Sequence, residues 1–425
     1  MKARKIKTFV FVILFLFLVF QQAILLRVPQ IGLLSYTDEA LMCVLLVLSV
    51  LHMLRHPVRL MKIEQVMIAM ILLFLGFGVL STLINPVQGL FLSTADAMVC
   101  IRFVVFYLAF RVLAGAEDAK MTIRAVSVCC RIAAVVLTLL ALHEFFLTPW
   151  FPKFDVRFGF ETLQLIFPHP TYLAFAAFTL AIPLMLRMSI RSLKCRRDFF
   201  YIALLFFVTF LSGRSKAVGA VACSILIWLL FVALKNRSKL FIALAGAVLA
   251  FAVGWNSLAD YYITNDQEGA YAIRIMMHRD AATLAKNFFP FGAGFGTFGS
   301  AVAADHYSPV YYAFGYNGIW GMAPTRSDYL CDTFWPIVLG ETGWIGTIAF
   351  GIVVVCFLLI SFRAVDKDRY IAWALLSVVV YELISSIAET SFFNPASSVL
   401  FIVFALGVNL MLGTDPEPVK VAQEI

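Results

Sequence analysis

The chain has 425 residues, 62% of them hydrophobic and only 14% charged, with a net charge of +8 and a mean hydropathy of +0.93. A soluble globular domain has roughly a quarter of its residues charged and just under half apolar, so a water-facing surface of this length is excluded and lipid is the solvent for most of the chain. Backbone groups in lipid must be satisfied internally, which leaves helices or a closed barrel; the apolar runs are long and continuous, not alternating in pieces of about ten residues, and that selects helices.

Lys2, Arg4, Lys5 and Lys7 precede the first apolar run, as in a signal sequence, but the run is long and no small-x-small cleavage site follows. An uncleaved first span is expected. Spans are expected at 8–26, 38–54, 63–84, 96–114, 124–147, 169–188, 199–213, 217–234, 240–258, 333–360, 370–390 and 396–413. The seventh is short, so 199–234 reads as a helical hairpin broken at Gly213. The tenth is long, and Pro336 and Gly340 point to an interfacial helix leading into a true span that begins at Gly343. The fold class is therefore an all-α polytopic membrane protein of about twelve transmembrane helices.

With the N-terminus inside, internal loops and tails hold 21 of the 33 Lys and Arg, external loops nine, and the spans Arg102, Arg111 and Arg131. Positive residues concentrate on the cytoplasmic side, which orients both termini inward. The net charge is then a topogenic signal, and no nucleic-acid partner is invoked. The organisation is 1–258 with nine spans, an external segment 259–332 carrying short helices, and 333–425 with three spans and a short tail. No cytoplasmic loop can hold a soluble domain, so chemistry is expected on the outer face.

Cys43, Cys100, Cys129, Cys130, Cys223 and Cys356 lie in apolar runs, Cys195 in a basic loop, and Cys331 alone in the external segment, so no disulfide framework is expected. The six histidines show no close pairing on the outer face, and no metal or cofactor is expected. Arg102, Arg131, His143 and Glu382 are the candidates for buried charge.

The external side sets arginines among glycines and aromatics. Arg157 lies in Phe154-Asp155-Val156-Arg157-Phe158-Gly159. His169 opens span 6, and Arg214 and Lys216 occupy the tight turn Ser212-Gly213-Arg214-Ser215-Lys216. Arg274 and Arg279 fall on an expected helix from Ala270 to Lys286. Asp328, Asp332 and Glu341 cluster where the chain re-enters the membrane. Arginine suits a diphosphate, because its planar fork bonds phosphate oxygens bidentately and stays charged; a single external Arg can equally be a headgroup contact. Gly294-x-Gly296-x-x-Gly299 is formally a dinucleotide fingerprint, but no βαβ unit surrounds it. Tyr261, Tyr262, Tyr271, Tyr307, Tyr311, Tyr312, Tyr316 and Trp320 are either sugar-stacking platforms or the core and belt of the segment.

Four stretches together resemble the O-antigen ligase and polysaccharide polymerase (Wzy-like) superfamily of bacterial envelopes. Phe167-Pro168-His169-Pro170-Thr171-Tyr172-Leu173-Ala174 is similar to its span-opening motif, and Leu211-Ser212-Gly213-Arg214-Ser215-Lys216-Ala217 to its Ser-Arg turn. Arg274 to Gly296 resembles its Arg, helix, Asn-Pro-x-x-Gly-x-Gly signature. Asp332 to Gly346 is similar to its His-Asn-x-Tyr-Leu…Glu-x-Gly-x-x-Gly motif. The resemblance implies a metal-independent inverting glycosyltransferase without cofactor, in the bacterial inner membrane with a periplasmic active face. Its donor would be an undecaprenyl-diphosphate-linked oligosaccharide, and its partners a flippase and a chain-length regulator. The implied diphosphate and glycan contacts are Arg214, Arg274 and Arg279, with Arg157, Lys216 and Glu341. Asp332 stands where ligases carry histidine, and the following Asn, Tyr and Leu are absent, which leans toward a polymerase of exopolysaccharide, capsule or O-antigen repeats over a ligase to lipid A-core. Asp332 is the candidate base, with His169 the alternative; helix capping by Asp332 is the competing structural role. A lipid-linked oligosaccharide flippase or other transporter is the reading from another class.

Overall fold

The computed structural model describes residues 2–28, 36–147, 149–190, 196–233 and 270–413. Its long helices are α1 (Lys2–Arg27), α2 (Thr37–Arg55), α3 (Lys62–Ile84), α4 (Leu90–Leu113), α5 (Ala116–Phe146), α6 (Pro170–Ile190), α7 (Arg196–Leu211) and α8 (Ser215–Trp228). Then follow α9 (Ala270–Asn287), the short α10 (Ala301–Asp305) and α11 (Pro309–Ala313), and α12 (Trp335–Arg363), α13 (Arg369–Ser385) and α14 (Pro395–Leu412). Eleven expected spans coincide with helices; the expected span at 240–258 lies outside the described residues. Among the described residues, eight helical stretches are long and apolar enough to cross a bilayer. Of the other three, α4 carries Asp96, Arg102 and Arg111, and α7 and α13 have 16 and 17 residues.

Burial sorts the bundle. The apolar windows of α6 and α14 are 83% buried, so these helices are central; those of α2 and the α8 stretch are 22% and 17% buried and lie at the edge. The edge presents Val44, Leu46, Val47, Leu51 and Leu54 outward, an apolar surface of a kind that lipid covers. α3 lies along α12, α4 along α14 and α2, α6 along α7, and α8 along α13.

Charges inside the bundle join helices to one another. Arg102 pairs with Asp38 and with Glu39 (2.5 Å) of α2, and donates to the Phe393 carbonyl at 2.6 Å. Arg111 pairs with Glu64 of α3 at 2.8 Å and donates to Asn409 Oδ1 of α14 at 2.9 Å. Arg131 and Arg187 share Asp198 at 2.5 and 2.9 Å. Burial of each charge is offset by a partner, as the low-dielectric interior requires.

Segments expected on one side of the membrane touch each other. Lys7 meets Asp118 at 2.6 Å, and Ser189 meets Asp368 at 2.7 Å. At the opposite side Arg27 donates to the Ile166 carbonyl at 2.8 Å, and Lys216 meets Glu389 at 2.5 Å. The helices therefore alternate in direction as the apolar runs imply.

Residues 270–334 form a compact unit against α12, with a second small core that includes Met277, Phe298, Tyr311, Tyr316 and Leu330. The α9 bounds match the expected helix to one residue. Tyr311 and Tyr316 are fully buried, which gives them the core role, whereas Tyr312 and Trp320 are exposed. Tyr261 and Tyr262 lie outside the described residues. α12 breaks at Gly343 (φ +65°), as its sequence implies. There it crosses Gly292 (φ +82°): a Cβ on Gly343 would sit 2.5 Å from the Pro290 carbonyl oxygen, and one on Gly292 2.5 Å from the Gly343 nitrogen. Only glycine suits both the conformation and the approach.

Candidate functional site

An element absent from the all-α expectation begins the site. β1 (Lys153–Arg157) and β2 (Phe160–Leu163) form an antiparallel hairpin closed by Phe158 and Gly159, both at positive φ. The signal was a two-residue Phe-Gly turn between short alternating stretches. The hairpin covers the turn between α7 and α8. Gly213 sits there at φ +65°, where a Cβ would lie 2.1 Å from Thr162 Cγ2; the glycine lets the turn seat under the hairpin and present Arg214.

Arg214 is almost fully buried. Its Nη2 lies 3.1 Å from His169 Nε2 and 3.6 Å from Asp155 Oδ1, and its guanidinium stands 5.1 Å from the centre of the Phe154 ring. Asp155 also accepts from Arg157 Nε at 2.6 Å and Thr162 Oγ1 at 2.9 Å. Burial works against the Asp155 carboxylate, but these bonds and the Arg214 charge hold its pKa below the usual value. Burial, and then the Arg214 charge, push His169 down to about 4, so the ring is neutral near neutral pH. A guanidinium has only donors, and so has the Thr171 backbone N–H that faces Nδ1 at 3.2 Å; a neutral ring accepts at one of its two nitrogens, so it takes a bond from Arg214 or from Thr171.

Two further pairs complete the cluster. Lys216, at the start of α8, donates to the Ala388 carbonyl at 2.9 Å and to Glu389 Oε1 at 2.5 Å, and Thr171 Oγ1 donates to the same oxygen at 3.4 Å. Arg274 of α9 donates through Nη2 to Asp332 Oδ2 at 2.8 Å. Asp332 senses Arg274, Lys216 and Glu389 together; burial dominates and raises its pKa, while the two cations oppose the rise. The helix that follows is capped at Phe334 without a side-chain bond, so Asp332 faces Arg274 and does not cap α12.

The fold thus gathers Arg157, His169, Arg214, Lys216, Arg274 and Asp332, and adds Asp155, Thr171 and Glu389, which sequence reasoning missed. Glu389 carries no local signal: it is a lone acid between two apolar runs. Arg279 is not brought in. It pairs with Asp280 at 2.9 Å with its side chain 71% exposed, on the other face of α9. Glu341 stands apart too. Its Oε1 accepts from the Thr297 and Phe298 nitrogens at 3.0 and 3.1 Å and from Ser300 Oγ at 3.1 Å, while Asp96 accepts from the Gly296 nitrogen at 3.0 Å. Asp96, Cys100 and Glu341 have metal-like proximity among the described residues; Glu341 Oε1 takes three N–H and O–H donors and Asp96 Oδ2 the Gly296 nitrogen and the Cys100 thiol, and these bonds latch the glycine-rich run to α4 and α12. Among the described residues no βαβ unit surrounds that run.

Fold and cluster define a polytopic α-helical membrane protein with an arginine- and carboxylate-bearing site where the segments between helices meet. No family model matches this chain, and no curated protein matches it.

Proposed function

We propose that the protein is a polysaccharide-polymerase-type glycosyltransferase, moving a glycan from undecaprenyl diphosphate to a sugar hydroxyl at the outer face of the bacterial inner membrane. The observation that carries this reading is the convergence, from segments far apart in sequence, of buried Arg214 beside His169 and buried Arg274 beside Asp332, with Lys216 and Glu389 acting on both His169 and Asp332. The arginines would bond the diphosphate and stabilise the charge that develops as it leaves, the role a preorganised donor set performs without a metal. Asp332, its pKa raised by burial, would take the proton of the attacking hydroxyl. Neutral His169, where its Nε2 accepts from Arg214, would hold that arginine in place.

The pairing of Arg102, Arg111 and Arg131 with carboxylates favours this reading over a transporter, whose intramembrane charges would line a path. The twelve-span topology with termini inside goes with it. α8 starts at the cluster and α9 lies beside it again; the expected span at 240–258 lies outside the described residues. The test is gene deletion, with gel analysis of surface polysaccharide and lipid-linked intermediates, complemented by wild type, Arg214→Ala or Arg274→Ala. Accumulated single repeats in the deletion and in both variants, at normal protein levels, are expected. Near-normal polymer with both variants overturns the diphosphate assignment; free polymer unattached to lipid A would make the protein a ligase, and absence of outer-leaflet repeats a flippase.

A further inference from the structure

A small cavity lies where α13 ends, between α6 and the turn into α14. Its walls include Thr171, Tyr381, Glu382, Ser385, Glu389 and Asn394, and its volume is about 20 Å³. A single water needs roughly 10–15 Å³ measured this way, so the space suits one guest of about that size and excludes a sugar ring.

Glu382 sets the chemistry of that guest. It is 1% exposed. Its Oε2 accepts from Ser391 Oγ and, at 3.0 Å, from Ser397 Oγ. Its Oε1 is buried and has no hydrogen-bond partner among the described residues. No salt bridge reaches Glu382 among them: Lys216 is committed to Glu389, and Arg102 to Asp38 and Glu39. A buried carboxylate is ordinarily paired or bound to a metal ion, and this one sits in the last turn of α13, where the negative end of the helix adds to the attraction for a cation.

We infer that Glu382 and the surrounding hydroxyl and amide oxygens bind one sodium ion. Charge and size both select it. Lys216 neutralises Glu389, so a single negative charge faces the cavity and a monovalent ion balances it. Magnesium keeps several of its waters, which do not fit so small a space, and calcium would leave its second charge without a carboxylate to balance it. Sodium, with the higher charge density, is preferred by a carboxylate over potassium. The ion would tie the end of α13 to the Ser391–Ser397 stretch and so steady the segment that presents Glu389 to Lys216. Nothing in this inference depends on the reaction proposed above.

The test is direct binding of ²²Na⁺ to the purified full-length protein in detergent, read by scintillation proximity. Saturable binding near one ion per chain is expected, displaced by unlabelled NaCl and not by choline chloride. Glu382→Gln should weaken it at least tenfold, and Ser385→Ala several-fold. Glu117→Gln, on an exposed helix start, should leave it unchanged. If Glu382→Gln does not fold, the wild-type isotherm and Ser385→Ala still decide. Absence of saturable ²²Na⁺ binding to the wild type overturns the inference, the carboxyl then holding a proton or a water. Binding undiminished in both cavity variants overturns it as well.

Discussion

Replacing Asp332 with Asn separates a chemical role from a positional one. The amide keeps the shape and keeps an oxygen that can accept from Arg274, 2.8 Å away, but it cannot take a proton. If Asp332 only orients Arg274, the change weakens one charge-assisted bond. Such a bond is worth about 1.5–3 kcal/mol, and the amide retains part of it, so about 1 kcal/mol and a loss within roughly tenfold follow. If Asp332 takes the acceptor proton, general-base catalysis is removed and the loss is roughly 10²–10⁴-fold. The assay is polymer formed per unit of membrane-inserted protein, from purified lipid-linked repeat, across a range of pH. Wild-type activity should fall on acidification at a higher pH than an ordinary carboxylate would give, because burial raises the Asp332 pKa and the base works only when ionised. Glu389 raises that pKa and Lys216 lowers it, so Glu389→Gln should move the acid limb to lower pH and Lys216→Met to higher pH. Burial and the Arg214 charge hold His169 near 4, so if Asp332 is the base, His169→Gln should leave the limb in place and still responsive to Glu389→Gln and Lys216→Met. Asp332→Asn activity within tenfold of wild type, with an unmoved limb, would refute the base assignment.

Three further outcomes follow from packing and topology. Arg102→Ala leaves Asp38 buried without its partner, and breaking a buried pair from one side costs about 3–5 kcal/mol; the protein should reach the membrane poorly and melt at a lower temperature in detergent. Gly343→Ala places a methyl against the Pro290 carbonyl at φ +65°, strain of about 1–3 kcal/mol from the backbone alone, and should expose the 270–334 unit to limited proteolysis. On a Cys-free background, an impermeant maleimide applied from outside should label His306→Cys and spare a restored Cys195; the reverse pattern would invert the topology.

What the sequence made legible was local. Apolar runs locate α1 to α8 and α12 to α14, because a span satisfies its own backbone and needs no distant partner. The Ala270 start of α9, the Gly213 turn and the break at Gly343 were equally plain, each fixed by a few neighbouring residues. Arg279 was misjudged by a local rule that could have been applied: five residues after Arg274, it lies roughly 140° around the helix, so both cannot face one ligand. Glu341 shows a different limit. A motif placed it at the site, but its oxygen is spent on the Thr297 and Phe298 nitrogens, and nothing in Gly-Glu-Thr-Gly distinguishes a latch from a ligand contact.

The residues that complete the cluster were out of reach for a physical reason. Lys216 and Glu389 are separated by 173 positions, and Arg274 and Asp332 by 58; these pairings depend on which helices neighbour each other in the bundle. Hydropathy locates spans without ordering them, since lipid-facing and protein-facing apolar residues look alike in sequence. Once α8 lies along α13, the start of one and the segment after the other meet, and a lone acid there becomes the partner of a lysine in a tight turn. The same adjacency puts Glu389 within reach of both candidate bases, acting on His169 and on Asp332. Its charge therefore bears on either version of the proton transfer: Glu389→Gln lowers both pKa values, so the variant is read in the Asp332→Asn background, where an acid limb that still moves belongs to His169.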